Sequence, residues 1–189
     1  MNARAFHKPN GVDYKVGPGE LLVLDSDEWI TTVLGSCISV CIRDRKIQVG
    51  GINHFMLPEV VNGDRDTIFM AARFGGVAME QLINGIMARG GLRANLDIKV
   101  FGGSRIMHSD VGEQNIAFVK NYLSTEQLPV IAFDVGGGAA RKIRYQPKTG
   151  KVLVKFLPSV TSVNQVSVEE KAYQSSIRED TSGGSIELF

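Results

Sequence analysis

The chain has 189 residues, with 21 Lys+Arg against 20 Asp+Glu for a formal net charge of +1, 43% apolar residues and two cysteines. This length fits one domain, or one domain with a tail, and the near-neutral balance speaks against a broad electrostatic nucleic-acid binder. Two cysteines are too few for a disulfide scaffold, no apolar run reaches the roughly 20 residues that cross a bilayer, and residues 1–10 hold no apolar signal core, so a soluble protein of the reducing cytoplasm is expected.

Residues 1–17, broken by Pro9, Gly11 and Gly17, read as an arm. Residues 20–24 and 29–34 are strand candidates, the second rich in β-branched and aromatic side chains. Gly35 and Ser36 signal a turn, and Cys37 follows directly. Residues 37–43 alternate: Ile38, Val40 and Ile42 point one way, and Cys37, Ser39, Cys41 and Arg43 the other. Residues 47–57 form the next strand candidate. Phe74, Ala78, Leu82 and Ile86 recur at helical spacing, Val77, Met79 and Ile83 widen the stripe, and Gly90-Gly91 stops it. Residues 96–101 alternate as a strand that ends at Gly102-Gly103. A second helix is expected near Asp110, where Asp110 and Glu113 have capping-box spacing. The run 129–135 has the pattern of a buried strand. Residues 142–146 and 151–157 flank Pro147-Lys148-Thr149-Gly150, a turn in which Pro fixes φ and Gly permits positive φ. From residue 159 to 184 the chain is polar and reads as a partly helical or disordered tail. Residues 186–189 end it as a short apolar scrap, a terminal strand or a docking peptide.

The hairpin 37–57 carries the chemistry. With Arg45-Lys46 as a two-residue loop, Asp44 faces Ile47, Ile42 faces Val49, and Cys37 faces His54. Opposed Cβ atoms lie about 4.5–5.5 Å apart, the separation at which a thiol and an imidazole share a proton. Arg-Lys is not a favoured two-residue loop, so a longer loop or bulge would shift that register. Cys41 lies on the same face roughly 13 Å further along, too far for a disulfide with Cys37. It reads as a packed small hydrophobe, and Cys37, at the turn, as the exposed thiol. An imidazole beside a thiol lowers its pKa and supplies a general base, and a third group should orient the ring. The local polar candidates for that are Thr31, Thr32 and Asn53.

Other patterns are poorer. His7, His54 and His108 are widely spaced and no C-x-x-C occurs, so no metal or other cofactor is expected. Gly102-Gly103 and Gly136-Gly137-Gly138 match no phosphate-loop spacing and read as turns. Met70, Met79 and Met87 read as core, and Arg141, Lys142 and Arg144 as a solvated strand face.

The segment Thr31-Thr32-Val33-Leu34-Gly35-Ser36-Cys37-Ile38-Ser39-Val40-Cys41, followed by Gly51-Ile52-Asn53-His54-Phe55-Met56-Leu57-Pro58, resembles the CheD family of chemoreceptor glutamine deamidases. Phe101-Gly102-Gly103, Gly112-Glu113-Gln114-Asn115-Ile116 and Asp134-Val135-Gly136-Gly137 extend the resemblance in the family's order over residues 18–158. Gly76, placed at a helix start, departs from the aspartate of the family's pattern.

The resemblance implies a catalytic Cys37, His54 and Thr31; only the resemblance selects Thr31 over Thr32. It implies a compact single α/β domain of packed mixed β-sheets with flanking helices, similar to the catalytic domain of cytotoxic necrotising factor toxins. The domain would span 18–158, with an arm at 1–17 and a polar tail at 159–189. It implies methyl-accepting chemoreceptors as substrates and, in some systems, a CheC-type phosphatase as partner. The expected chemistry is deamidation of receptor glutamines through a Cys37 thioester, with His54 as base and acid and Thr31 holding the ring. The turn adds the backbone N–H groups of Ser36 and Cys37 as oxyanion candidates. A protein substrate calls for a partly accessible Cys37. Transglutaminase or methylesterase chemistry would use the same pair. The reading from a different class is a non-catalytic adaptor that binds chemoreceptors or a CheC-type phosphatase, and a redox sensor is a third.

Overall fold

The computed structural model describes residues 4–8, 11–58, 64–106, 110–157 and 160–182. Its centre is the strand β5 (Ile38–Asp44), with β1 (Arg4–Lys8), β2 (Gly11–Lys15), β3 (Leu21–Leu24) and β4 (Trp29–Leu34) before it. After it come β6 (Gly50–Asn53), α1 (Arg65–Met87), β7 (Leu96–Gly102), α2 (Val111–Thr125), β8 (Val130–Val135), β9 (Ala140–Gln146), β10 (Lys151–Leu157) and α3 (Val160–Ser182). Two five-stranded mixed sheets form, in the orders β1-β2-β4-β9-β10 and β3-β6-β5-β7-β8. Each has one parallel pair, β2 with β4 and β7 with β8.

Both faces of β5 are apolar, and each faces its own core. Ile38, Val40 and Ile42 pack with Met79, Leu82, Ile83 and Ile86 of α1 and Val119 and Leu123 of α2. Cys37, just ahead of the strand, and Cys41 pack with Ile30 and Leu34 of β4 and Ile143 and Tyr145 of β9. The molecule is therefore an α/β domain in layers: sheet, sheet, helices. The alternation expected over 37–43 separates these two cores as read.

The hairpin register differs. Cys41 pairs with Ile52, Ile42 with Gly51, and Ile38 with Phe55, two residues from the expected pairing. The loop closes from the Asp44 N–H to the Val49 carbonyl at 2.8 Å, with Gln48 at φ 62°. Asp44 causes this. Its buried carboxylate accepts from the Lys46 N–H at 2.8 Å, the Leu92 N–H at 2.9 Å and Asn95 at 3.3 Å, so the chain wraps around it instead of forming the tight turn that Arg-Lys disfavours. A slip of two preserves parity, so every side chain keeps its face.

Other expectations are corrected. The N-terminal segment is not a free arm where described: β2 joins the first sheet beside β4. α1 begins at Arg65, far ahead of Phe74 and Gly76, because Asp64 caps it by accepting from the Thr67 N–H at 3.0 Å. The box at Asp110 does not form, since Glu113 pairs with Arg105 instead. β8 is an edge strand with Ile131 and Phe133 exposed, not a buried one. Arg141 is buried rather than solvated: its guanidinium donates to Asp134, the Gly136 carbonyl and Ser104, tying the loop after β8 to the loop after β7. Arg144 donates to both Asp13 oxygens and stacks on Trp29. Of the methionines read as core, Met79 is buried while Met70 is exposed. The turn before β10 forms as expected, with Gly150 at φ 72°. The polar tail forms α3 over its described part, and residues 186–189 lie outside the described residues.

Candidate active site

Between β4 and β5 the chain turns at Gly35, Ser36 and Cys37, and each carbonyl of that turn is tied to the scaffold. The Gly35 carbonyl accepts from the Ser104 N–H at 2.7 Å and the Cys37 carbonyl from the Gly103 N–H at 2.7 Å. The Ser36 carbonyl accepts from Asn115 Nδ2 at 2.9 Å, while Asn115 Oδ1 accepts from the Leu57 N–H at 2.9 Å. Gly102 makes this fit possible. It sits at φ 110°, and a Cβ there would lie 2.1 Å from the Cys37 carbonyl oxygen.

With the carbonyls held on one side, the three N–H groups converge on the other, the concave arrangement that binds anions. They meet Glu170 of α3. Its Oε1 accepts from the Gly35 N–H at 3.0 Å and the Cys37 N–H at 3.1 Å. Its Oε2 accepts from the Ser36 N–H at 3.0 Å and from Ser36 Oγ at 2.6 Å.

His54 follows the last residue of β6 and is anchored on both backbone sides. Its N–H donates to the Glu20 carbonyl at 3.0 Å, and its carbonyl accepts from the Gly19 N–H at 2.8 Å. Its Nδ1 is hydrogen-bonded to Thr32 Oγ1 at 2.8 Å. Cys37 Sγ, a ring nitrogen of His54 and a Glu170 oxygen lie within 4.8 Å of one another. These are also the side chains that could hold a metal, but both Glu170 oxygens already accept from the turn. Burial pushes the His54 imidazole down to about 4, against an upward pull from Glu170. Burial and then the Glu170 charge push the Cys37 thiol well up. The resting pair is a neutral thiol beside a neutral imidazole.

The structure brings Cys37, His54 and the N–H groups of Ser36 and Cys37 together, and it adds the Gly35 N–H. By the observed register Met56 falls opposite Cys37, and His54 reaches the thiol diagonally. Thr31 is placed differently from expectation. Burial alternates along β4, so Ile30, Thr32 and Leu34 face the core and Thr31 faces away, and the hydroxyl on the imidazole is that of Thr32. Cys37 is fully buried rather than partly accessible: it packs in the core between the sheets, and Glu170 of α3 lies against its turn. His108 and the side chain of His7 lie outside the described residues. Sequence reasoning missed Glu170 and Asn115. Asn115 stood within a quoted motif without a role, whereas Glu170 could have been found as a carboxylate between Val166, Tyr173 and Ile177 at helical spacing.

Burial of His54 sets a pH dependence of stability. The ordinary value of 6.5 is lowered to about 4 in the fold, so between these values the unfolded chain binds the proton and the folded one does not. Stability should therefore fall as pH drops from 6.5 to 4, by about 3 kcal/mol over the window. Urea unfolding at several pH values should show this slope in wild type and its loss in His54→Gln.

The family model described as "CheD chemotactic sensory transduction" matches residues 56–156. A protein of Saccharophagus degradans named "Probable chemoreceptor glutamine deamidase CheD" is 45% identical, covering 94% of this chain and 85% of that protein. Proteins of the same name from Rhodopseudomonas palustris and Hahella chejuensis are each 43% identical, covering 100% and 93% of this chain and 90% and 84% of theirs.

Proposed function

Because the chain belongs to the CheD family, we propose that it is a protein-glutamine deamidase that converts glutamine side chains of chemoreceptors to glutamate. The observation that carries this reading is a buried thiol and imidazole beside a turn whose three N–H groups point inward.

The steps follow from the placement. Nδ1 of His54 is engaged by Thr32, so Nε2 takes the thiol proton as Cys37 Sγ attacks the carboxamide carbon. The oxyanion is received by the N–H groups of Gly35 and Cys37, the two that share Oε1 of Glu170. The C–N bond breaks as His54 returns the proton to the departing ammonia, leaving a thioester on Cys37. Water, deprotonated by His54, adds to the thioester. The C–S bond breaks, and glutamate and the thiol result. Each event adds one negative charge to the receptor.

Chemoreceptors are the proposed substrates. A CheC-type phosphatase enters as a second partner from the family resemblance alone. Among the described residues no helix is long and apolar enough to cross a membrane. The test is peptide mass spectrometry of receptor cytoplasmic fragments incubated with the full chain. Glutamine-to-glutamate conversion is expected, and binding without conversion across a range of receptors would favour the adaptor.

The same assay separates the two threonines. Thr32→Ala should lower the rate about ten- to a hundredfold by freeing the imidazole, and Thr32→Ser should restore it. Thr31→Ala should stay within about twofold of wild type, since its side chain faces away from the ring. The reverse result would place the orienting hydroxyl on Thr31.

A further inference from the structure

α3 lays a carboxylate into the proposed catalytic centre. Its inward stripe is Val166, Glu170, Tyr173 and Ile177, and Glu170 is 1% exposed within it. A buried carboxylate is costly unless donors replace its water. Here three backbone N–H groups and the Ser36 hydroxyl do so, all from the turn that carries Cys37. Glu170 is not the acid that orients His54, because Thr32 holds Nδ1 and both carboxylate oxygens belong to the turn.

We infer that α3 is a tethered product analogue: Glu170 stands where the glutamate made by the reaction stands, and its helix covers the site as a substrate helix would. The inference rests on the deamidase reading and adds to it how the resting site is closed.

Three observations converge on it. A Glu170 oxygen lies within 4.8 Å of both Sγ and the imidazole, which sets the carboxyl group beside the proposed nucleophile and base. The donor pattern also suits the product better than the substrate. Ser36 N–H donates to Oε2, the position where a carboxamide would set its own N–H against that donor. A glutamine can keep the Gly35 and Cys37 bonds and turn its NH2 toward Ser36 Oγ, but it is held less firmly. Finally, Cys37 is 0% and His54 2% exposed, so no protein glutamine reaches them while α3 is docked. Tyr173 completes the cover by lying against Gly19, where an added Cβ would stand 2.8 Å from it. A cleft of about 220 Å³, lined by His54, Phe74, Val77 and Gln81, lies between Tyr173 and α1. A receptor helix must displace α3 to be modified.

The test puts the substrate side chain where the product analogue stands. In full-length Glu170→Gln, Sγ should attack the introduced carboxamide and ammonia should leave. Water should then hydrolyse the thioester, so the peptide spanning position 170 gains the mass of an amide-to-acid conversion. Glu170→Gln combined with Cys37→Ala should keep its glutamine. In parallel, Glu170→Ala, which keeps a strong helix former in α3, should be alkylated at Cys37 at least about tenfold faster than wild type under native conditions. Fragment ions distinguish Cys37 from Cys41. An introduced glutamine that persists at position 170, in a preparation that deamidates receptor fragments, would overturn the inference. Unchanged Cys37 alkylation in Glu170→Ala would do the same. If no glutamine is converted anywhere, the deamidase reading falls and, with it, the product analogy.

Discussion

Cys37→Ala should reduce glutamine conversion on receptor fragments at least about a thousandfold, because no other group in the cluster can form the covalent intermediate. The fold should survive the change. Cys37 lies in the core between the sheets, its neutral thiol carries no ion pair, and losing one sulfur costs on the order of 1 kcal/mol. Mass spectrometry of the receptor and thermal unfolding of the variant together separate lost chemistry from lost structure. Cys41 is the internal control. It shares the face of Cys37 but sits within β5, where burial raises its thiol, so Cys41→Ala should leave the rate close to wild type. Activity that survives Cys37→Ala and disappears with Cys41→Ala would move the nucleophile into the strand.

Gly102→Ala should be among the most damaging single methyl groups in the molecule. The backbone there holds φ 110°, which side chains rarely adopt, and the new Cβ would meet the Cys37 carbonyl oxygen at 2.1 Å and Ile38 Cα at 3.3 Å. Both neighbours are main chain and cannot rotate away. Strain and clash together should cost roughly 3–5 kcal/mol in urea unfolding. Relief requires the Cys37 turn to separate from Gly103, which breaks the 2.7 Å bond that orients it, so activity should fall as well. Gly138→Ala is the matched control: an added Cβ there meets no atom within 4 Å. It should change stability by less than about 0.5 kcal/mol. Equal stability of the two variants would show that the turn is not held through Gly102.

Much of the site was legible because strand parity is robust. The alternation at Ile38, Val40 and Ile42 placed Cys37 on the other face, and a register slip of two left His54 on the same side as the thiol. The loop that set the slip was not legible, since the reason for it is Asp44 binding N–H groups as distant as Leu92. Thr32 could have been read from the strand itself: Ile30 and Leu34 mark the inward face of β4, and Thr32 lies between them. The resemblance selected Thr31 instead. Glu170 was hidden by composition, because the polar surroundings of α3 masked a short inward stripe. Arg141 looked like a surface cation because the carbonyls that receive it come from Asp134 at the end of β8 and Gly136 just after it, which no local pattern in β9 announces.

The groups that would receive the oxyanion belong to the main chain, and three separate donors on the scaffold fix their direction. Nearly every residue type carries the same N–H, so single substitutions at Ser36 or Cys37 leave the amide array in place. The covering helix, by contrast, meets that array through one side chain. Mutational drift therefore acts unequally on the two. Machinery encoded in the backbone tolerates side-chain changes within the turn itself, whereas the strength of the cover can be retuned by a change at a single position, which lets the threshold for activity shift without rebuilding the centre.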